Sequence, residues 1–420
     1  MTLRPGAGPG SVAAKWPHPA DFAAPPTRAQ LEGWQESDRA AHPARLGRLR
    51  DRMGAAGVDG YFGVRREHMR YLTGFTIAET ETASAGDSGK FLVTGDDVRV
   101  LADSRYAIQA RREAPEATLF ECYHALADRW ASLVAEAGVR RVAVEAGFVP
   151  HETWERLAAA APNVELVPIE GWLEANRQVK DPAELERVAA ACAVADRALA
   201  SLLPSIRPGV TEAELALDLE WRMRTGGAEA LAFDVTCLAG PEAALPHGKP
   251  GNRPVVSGAV LLFEFGAHVA GYRSDMTRTL FVGEPTPRDL DVYELVAASQ
   301  AAAVDLIRES LAATPHGAPL PNGRAIDAAA RSAIDADGRW PAFLHGLGHG
   351  IGLATHELPS LSRRAPETPL PSPTVFSIEP GIYLEGETGV RIEDLVALDA
   401  ARARLDRLTR FPSGVVVVGL

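Results

Sequence analysis

Glycine at every second position makes the stretch HGLGHGIGLATHE, residues 345–357, the most constrained part of this sequence. A glycine in a helix interior costs about 1 kcal/mol relative to alanine, so this density of glycine excludes a stable helix. An extended strand remains, in which His345, Leu347 and His349 lie on one face. Glycine in a strand lets a ligand or another backbone approach closely. Three histidines in so short a stretch favour a ligand site over a purely structural strand.

Two acidic residues interrupt apolar strands in the segment VLLFEFGAHVAGYRSDMTRTLFVG, residues 260–283. The segment predicts two strands joined by a glycine-containing turn, with Glu264 in the first arm and Asp275 in the second. An ionised carboxylate among apolar neighbours is costly unless it is paired, hydrogen-bonded or bound to a cation. A single acid in a strand is usually half of a salt bridge, whereas two acids that face each other across a hairpin favour a bound cation.

A third segment, FSIEPGIYLEGETGVRIEDLVAL, residues 376–398, repeats the pattern of isolated acids in apolar strands. The proline that follows Glu379 keeps this residue extended. In the RIED motif, strand alternation places Arg391 and Glu393 on one face and Asp394 on the other. An arginine beside a ligand carboxylate can orient that carboxylate or hold a substrate carboxylate.

Together these segments provide four carboxylates and one imidazole, all in predicted strands of the C-terminal half: Glu264, Asp275, His349, Glu379 and Glu393. This donor set suits two hard or borderline divalent cations, with carboxylates that chelate or bridge and one nitrogen ligand. The three cysteines are far apart and lack CxxC spacing, so they indicate neither a disulfide framework nor a thiolate metal site. This cysteine usage predicts a reducing compartment, and we expect a cytoplasmic protein.

Length and charge limit the remaining function classes. A chain of 420 residues is longer than one hydrophobic core usually serves, which predicts two domains. A formal net charge of -12 argues against a nucleic-acid surface and against a polybasic membrane contact. The N-terminus lacks the apolar core of a signal peptide, and no window of about 18 uncharged apolar residues predicts a membrane-spanning helix.

Three regions follow from the hydrophobic pattern. Residues 1–35 are rich in proline, glycine and alanine and predict a flexible or surface-draped tail. Residues 36–175 alternate between helical and strand patterns and predict a small α/β domain, in which the first helix follows Pro43 and ends at Gly57. Residues 176–420 combine long helices with many strands and carry the candidate site. The fold class is therefore α+β.

Several segments resemble the pita-bread metallopeptidases, the family of Xaa-Pro aminopeptidases, prolidases and methionine aminopeptidases. The matching motifs follow the family's order: PHGKPGNRP, FEFGAHVAGYRSDMTRT, HGLGHGIGLATHELP, SIEPGIY and RIED. The resemblance covers most of residues 176–420. It extends more weakly to RLRDRMGAAGVDGYFGVRREHMRYLTGF and LADSRY, which are similar to the N-terminal domain of the Xaa-Pro and creatinase branch. It implies a C-terminal pita-bread domain with a curved antiparallel sheet, preceded by a smaller α/β domain.

The resemblance also implies a role for each candidate residue. The four carboxylates and His349 would bind two divalent metal ions, manganese first, with cobalt, zinc and iron as alternatives. Glu379 would also act as general base and take a proton from metal-bound water to give a bridging hydroxide. His247 and His356 would stabilise the tetrahedral intermediate. His345 and Arg391 would contact the substrate.

The implied activity is that of a Xaa-Pro aminopeptidase or dipeptidase, which acts on peptides with proline in the second position. The expected assembly is a homodimer that binds neither nucleic acid nor membrane. One position departs from the family, because Glu264 stands where aspartate is usual. The extra methylene keeps the charge but lengthens the reach. We therefore also consider a lyase or hydrolase of a non-peptide substrate, similar to the dimethylsulfoniopropionate lyases of this fold, and a catalytically silent binding protein.

Overall fold

The structure is a computed structural model that describes residues 16–78, 81, 84–123, 125–314 and 319–419. The chain divides into two compact units. The first unit is Thr27–Ala183, and the second comprises the described residues before Thr27 together with those from Glu184 onward. Residues 1–15 of the predicted tail lie outside the described residues.

The unit Thr27–Ala183 is built around one six-stranded sheet. Its helices are α1 (Arg28–Ala56), α2 (Arg66–Thr73), α3 (Ala107–Glu113), α4 (Leu126–Ala137), α5 (His151–Ala160) and α6 (Trp172–Arg177). Its strands are β1 (Gly60–Gly63), β2 (Phe91–Thr94), β3 (Val98–Ala102), β4 (Thr118–Glu121), β5 (Arg141–Glu145) and β6 (Glu165–Ile169). The strand order is β4-β3-β2-β1-β5-β6, with antiparallel β1-β2 and β2-β3 pairs and parallel pairs towards both edges. The predicted α/β character of this region is confirmed.

Helix α1 is longer than the sequence predicts. The leucine spacing predicts a start near Pro43, but α1 begins at Arg28 and continues through that proline. Thr27 and Gln30 cap the first turn reciprocally, which satisfies amide groups that a helix start leaves open. Pro43 removes one hydrogen bond from the helix interior, and buried side chains along α1 offset that loss. Gly57 ends the helix in the left-handed conformation, as predicted.

The second unit contains four long helices and fourteen strands among its described residues. The helices are α7 (Pro182–Leu202), α8 (Glu212–Thr225), α9 (Pro287–Ala313) and α10 (Gly323–Asp337). The strands are β7 (Ala230–Leu231), β8 (Thr236–Ala239), β9 (Val260–Phe265), β10 (Ala267–Val269), β11 (Tyr272–Arg273), β12 (Met276–Val282), β13 (Gly348–Gly350), β14 (Glu357–Leu361), β15 (Thr374–Ile378), β16 (Gly381–Leu384), β17 (Thr388–Arg391), β18 (Asp394–Asp399), β19 (Arg404–Arg407) and β20 (Val417–Val418).

Two sheets of this unit carry the candidate site. Strands β20-β12-β9-β8 form one sheet, and β14-β13-β15-β18-β19 form the other. The described pairs are antiparallel except β12 with β20. Strands β16 and β17 form a separate antiparallel hairpin. One hydrophobic cluster joins these sheets to α9 and α10 and includes Val296, Ile326 and Phe376. The backbone around the site is therefore supported by a continuous core.

Helix α7 is strongly apolar. The stretch Pro182–Ser205 reaches a mean hydropathy of 1.3, which by length and composition would suffice to cross a membrane. However, 61% of its most apolar window is buried inside the protein. This burial is typical of a core helix in a globular domain.

Residues 28–35 of the predicted tail lie in helix α1 of the first unit, whereas the described residues before Thr27 belong to the second unit and contact it. The indole Nε1 of Trp16 donates to the carbonyl oxygen of Val417 at 2.8 Å. The ring of Phe22 stacks on that of Phe411 with centroids 6.4 Å apart. Residues 16–26 are thus surface-draped, which is one of the two forms that the sequence predicts.

Candidate active site

The ends of several strands bring the four carboxylates and His349 together. Glu264 lies near the end of β9, and Asp275 directly precedes β12, the antiparallel partner of β9. His349 is in the middle of β13, and Glu379 directly follows β15. Glu393 stands between β17 and β18. Residues that are more than a hundred positions apart in sequence, such as Glu264 and Glu393, therefore meet at one site.

The glycines of β13 allow close backbone packing. A Cβ at Gly348 would stand 2.0 Å from a carbonyl oxygen of β15, and one at Gly350 would stand 2.1 Å from a carbonyl oxygen of β14. The strand is shorter than predicted, because only Gly348–Gly350 pair as strand. The prediction that Leu347 shares a face with His349 is wrong, since Leu347 is fully buried in the hydrophobic core. Enclosure of β13 between two neighbours explains the glycine alternation.

Asp275, His349 and Glu393 form a tight group. One ligand atom from each lies within 4.8 Å of the other two. Nε2 of His349 is 3.7 Å from Oδ2 of Asp275 and 3.4 Å from Oε1 of Glu379. Ser377 fixes two of these residues, because its Oγ accepts from the backbone N–H of His349 and donates to Oε1 of Glu379, both at 3.0 Å.

Two buried oxygens of this group, Oδ1 of Asp275 and Oε1 of Glu393, have no hydrogen-bond donor among the described residues. Burial and repulsion from neighbouring carboxylates raise the pKa of both acids well above its usual range. Burial likewise raises the pKa of Glu379 to about 7. Such a concentration of buried acids is stabilised by a cation, and carboxylates with one imidazole are suitable donors for divalent manganese, zinc or cobalt. The residues present fit divalent metal ions.

Glu264 contacts a buried arginine, Arg391. Its Oε2 lies 2.6 Å from Nη2 of Arg391, which is 2% exposed. Arg391 also donates from Nε to Oγ1 of Thr277 at 2.9 Å and from Nη1 to the Tyr383 hydroxyl at 3.0 Å. Although burial favours the neutral form, Tyr383 and the neighbouring acids raise the pKa of Arg391 above its usual value. The Thr277 hydroxyl donates to Oε2 of Glu393 at 2.8 Å and links the arginine to the tight group.

A cavity of about 910 Å³ opens beside these acids. All sequence-predicted site residues except Glu393 line it: His247, Glu264, Asp275, His345, His349, His356, Glu379 and Arg391. Nε2 of His345 is 2.9 Å from the hydroxyl of Tyr383, and the ring of His356 is 4.2 Å from that of His349. Burial lowers the pKa of His345 and His356 to about 4, so both imidazoles are neutral near neutral pH.

The structure adds polar residues that the sequence analysis does not assign. Thr277 and Tyr383 hold Arg391, and Ser377 holds Glu379. Hairpin register could have indicated Thr277, which is the Cα partner of Glu264. Strand alternation could have indicated Ser377, which lies two positions before Glu379 and so on the same face. No comparable local signal indicates Tyr383, because its contacts depend on how the β16-β17 hairpin packs.

Comparison with known proteins identifies the family of this chain. Residues 186–400 match Metallopeptidase family M24, and residues 45–179 match the creatinase/prolidase N-terminal domain. The chain belongs to metallopeptidase family M24. Its α+β architecture is the pita-bread fold of that family, preceded by the smaller α/β domain that the sequence predicts. The family uses divalent metal ions, which agrees with the donor set at the cavity.

Full-length relatives of this metallopeptidase include peptidases from several bacteria. The uncharacterized peptidase YqhT of Bacillus subtilis is 32% identical over 374 residues, which cover 89% of this chain and 100% of that protein. A solved Xaa-Pro dipeptidase from Bacillus anthracis has a TM-score of 0.80 at 30% identity. The superposition covers 90% of this chain and 100% of the dipeptidase chain. An X-Pro aminopeptidase structure from Thermotoga maritima has a TM-score of 0.75 at 32% identity, covering 86% of this chain and 98% of its own.

Proposed function

We propose that this metallopeptidase is a Xaa-Pro peptidase, of the aminopeptidase or dipeptidase type, that hydrolyses the bond between the first residue and proline. The observation that carries the proposal is the buried group of Asp275, His349 and Glu393 beside a cavity lined by three further histidines. The similar solved structures of a Xaa-Pro dipeptidase and of an X-Pro aminopeptidase support the substrate class.

The proposed enzyme uses two divalent metal ions, with manganese as the first candidate. When bound, the ions would polarise the scissile carbonyl and make a water molecule acidic enough to be deprotonated near neutral pH. Asp275, His349 and Glu393 would hold the ions, together with Glu379 and Glu264 beside them.

Glu379 is the proposed general base. Its carboxylate lines the cavity, and its Oε1 accepts a hydrogen bond from Ser377 Oγ at 3.0 Å. The backbone N–H of Glu379 donates to the carbonyl oxygen of Leu347 at 2.8 Å, which fixes the chain at this position. A carboxylate that is held in one orientation at the cavity wall can accept a proton from the attacking water and pass it to the leaving amine.

The histidines at the cavity would act on the substrate. A neutral imidazole donates one hydrogen bond, and donors aimed at a developing oxyanion lower the barrier to acyl transfer. His247 and His356 are proposed for this role. His345 lies 2.9 Å from the Tyr383 hydroxyl, and we propose that this pair borders the space for the residue after the scissile bond.

The cavity lining includes two basic side chains with different surroundings, Lys249 and Arg391. Arg391 is engaged by Thr277, Tyr383 and Glu264, which supports a role in orienting Glu264. Lys249 is exposed at the cavity wall. We propose that Lys249 attracts the free carboxylate of a short substrate, such as a Xaa-Pro dipeptide.

Peptide turnover tests the proposed function. Chelator-treated protein that is reloaded with Mn²⁺ should release the first residue from Xaa-Pro dipeptides or longer Xaa-Pro peptides, while matched Xaa-Ala peptides are poor substrates. The same assay on both peptide lengths separates a dipeptidase from an aminopeptidase. Absence of turnover on every Xaa-Pro peptide, with bound metal demonstrated on the same sample, would contradict the proposal.

A lyase or hydrolase of a non-peptide substrate is the second candidate, favoured by Glu264 in place of aspartate. If Glu264 adapts the site to a non-peptide substrate, E264D should abolish the native activity or increase peptidase activity. Wild-type turnover of Xaa-Pro peptides that E264D leaves unchanged would exclude this candidate.

Assembly and compartment rest on resemblance and composition. We propose a cytoplasmic homodimer, because this family's N-terminal domain commonly contributes to dimerisation. Light scattering coupled to size-exclusion chromatography would measure the molar mass of the full chain. A mass equal to the 44.7 kDa of one chain would contradict the dimer.

A further inference from the structure

Helix α8 exposes two large apolar side chains on its outer face. The helix packs into the second unit through Leu215, Leu219 and Met223, which are buried. On the opposite side, Leu217 and Trp221 are 68% and 66% exposed. These two residues are four positions apart, so their side chains are neighbours on the helix surface. A contiguous exposed apolar pair on a helix that already has a buried face indicates a binding surface.

The exposed pair continues from the cavity of the candidate active site. Ala213 and Ala216, which precede the pair on α8, line that cavity. Ala213, Leu217 and Trp221 follow one another at four-residue spacing and form one row along the helix, which we name the α8 ridge. With a rise of about 1.5 Å per residue, the ridge is about 12 Å long. A ligand that extends out of the cavity along α8 therefore contacts Leu217 and then Trp221.

The charged side chains of α8 all have partners among the described residues. Asp218 accepts from Nε of Arg222 at 2.9 Å, and Glu220 accepts from Nε of Arg224 at 2.9 Å. The remaining acids of the helix accept hydrogen bonds from backbone N–H groups: Glu212 and Glu214. The α8 ridge therefore offers apolar contact without unmatched charge. This surface suits an uncharged apolar chain, whereas an anionic membrane or a charged partner requires unmatched charges.

The cavity is larger than a dipeptide requires. Protein sites of about 300–1,000 Å³ enclose drug-sized ligands, which are larger than a Xaa-Pro dipeptide. The cavity volume of about 910 Å³ lies at the upper end of that range. The α8 ridge adds room for three or four extended residues, since each spans about 3.3–3.6 Å. Cavity and ridge together match a peptide of about five or more residues.

We propose that the α8 ridge binds the downstream part of a longer Xaa-Pro peptide and prefers apolar side chains two or three positions after the proline. The first residue and the proline lie in the cavity, and the following residues pass over Leu217 and Trp221. This inference rests on the proposed function and deepens it. It selects the aminopeptidase type and names Leu217 and Trp221 as residues that determine specificity.

Two matched hexapeptides test the preference on Mn²⁺-loaded protein: Ala-Pro-Ala-Leu-Leu-Ala and Ala-Pro-Ala-Ser-Ser-Ala. The wild type should show a KM about fivefold to tenfold lower for the leucine peptide, because its leucines leave water on the ridge. The double variant L217A/W221A should lose this difference in KM, with kcat unchanged. The Ala-Pro dipeptide does not reach the ridge, so the double variant should change its KM less than about twofold.

A matched control removes a comparable apolar side chain elsewhere. Ile108 lies on α3 of the first unit and is 62% exposed, close to the exposure of Leu217. I108A should therefore keep the leucine preference of the wild type. W221F, which retains an apolar ring at the ridge, should keep most of it.

Tryptophan fluorescence follows binding without turnover. Addition of the leucine hexapeptide to chelator-treated wild-type protein should shift the emission to shorter wavelength, because Trp221 passes from water into apolar contact. The serine hexapeptide should cause a smaller shift. W221F should lose the shift, since neither peptide contains an aromatic residue. Absence of a shift in the wild type, or an equal shift in W221F, would overturn the role of the ridge.

The outcomes separate this inference from the proposed function. Equal KM values of the wild type for the two hexapeptides, or a leucine preference that L217A/W221A retains, would overturn the ridge while Xaa-Pro hydrolysis stands. Equal losses on the dipeptide and on both hexapeptides would do the same. A fall from dimer to monomer in L217A/W221A would show that a second copy of the chain covers the ridge, which also overturns the inference. Absence of turnover on every Xaa-Pro peptide would contradict both proposals.

Discussion

Glu393 and Asp394 are neighbours in sequence, and they lie in opposite electrostatic surroundings. Asp394 receives three hydrogen bonds: Oδ1 accepts from Arg278 Nη2 at 2.6 Å and from Thr409 Oγ1 at 2.7 Å, and Oδ2 accepts from Gln300 Nε2 at 3.2 Å. Glu393 receives one from Thr277 at 2.8 Å, and its Oε1 has no donor among the described residues.

The comparison separates structural acids from ligand acids. A buried carboxylate whose donors are all supplied by the protein stabilises the fold, whereas one with an orphaned oxygen requires a ligand from outside. Glu145 in the first unit belongs to the structural class. Burial alone would raise the pKa of Glu145. Hydrogen bonds from His68 and Tyr61 nevertheless hold this pKa below its usual value.

Replacing the ligand acid should have the largest effect. In E393Q an uncharged amide takes the place of an acid that we propose as a metal ligand. Loss of a general base alone costs about 10²–10⁴-fold in rate, and weakened metal binding should lower kcat/KM on a Xaa-Pro peptide at least as much. The metal-free protein should unfold at the same or higher denaturant concentration, because a buried uncompensated acid is removed. If E393Q is clearly destabilised but keeps wild-type activity, Glu393 is a structural acid and not a metal ligand.

Replacing the structural acid should affect stability first. D394N leaves the buried guanidinium of Arg278 without its ion-pair partner, and breaking a buried pair in this way costs about 3–5 kcal/mol of unfolding free energy. Urea unfolding followed by circular dichroism measures this difference. Mn²⁺ binding by the folded fraction should remain. Unchanged stability together with lost metal binding would place Asp394 among the ligands.

Asp196 is an intermediate case, because it accepts two backbone hydrogen bonds and has no cationic partner within ion-pair distance among the described residues. Burial raises its pKa from 3.8 to about 6. The folded protein therefore holds the proton more tightly, so the stabilisation from this group is complete below pH 3.8 and is lost as the pH rises through about 6. The unfolding free energy of the wild type, relative to D196N, should fall by up to about 3 kcal/mol between pH 4 and pH 7. A difference that is constant with pH would contradict the assignment.

The smallest effect is expected at the exposed lysine of the cavity. K249A should raise KM for a Xaa-Pro dipeptide by up to about fivefold, because an exposed ion pair is worth about 0.2–1 kcal/mol. The kcat value should be unchanged, and K249R should restore KM. R363A, at an exposed arginine outside the cavity lining, is the matched control. Equal effects of K249A on dipeptides and longer peptides would argue against recognition of the free carboxylate.

Local patterns suffice to predict much of this molecule. Acids inside apolar strands identify the candidate ligands, because the cost of an unpaired buried charge is a property of the segment itself. The RIED motif places Glu393 and Asp394 on opposite faces, and their contacts with Thr277 and Arg278 respectively confirm that alternation. The roles proposed for the site residues stay predictions.

Other features depend on contacts between distant segments. The start of α1 at Arg28 depends on a capping pair and on burial that carries the helix through Pro43, and a proline normally predicts the opposite. Leu347 enters the core because β13 is only three residues long. The pairing of Glu264 with Arg391 joins β9 to β17, and it depends on side-chain reach that register alone does not determine.

Counting tightly bound Mn²⁺ in the wild type, E393Q and D394N tests the distinction between ligand and structural acids most directly. After chelation, reloading and dialysis, metal analysis should find at least one tightly bound ion per chain in the wild type and in folded D394N. It should find substantially less in E393Q. Equal metal content in E393Q and the wild type, or loss of metal only in D394N, would contradict the assignment of Glu393 as a ligand and Asp394 as a structural acid.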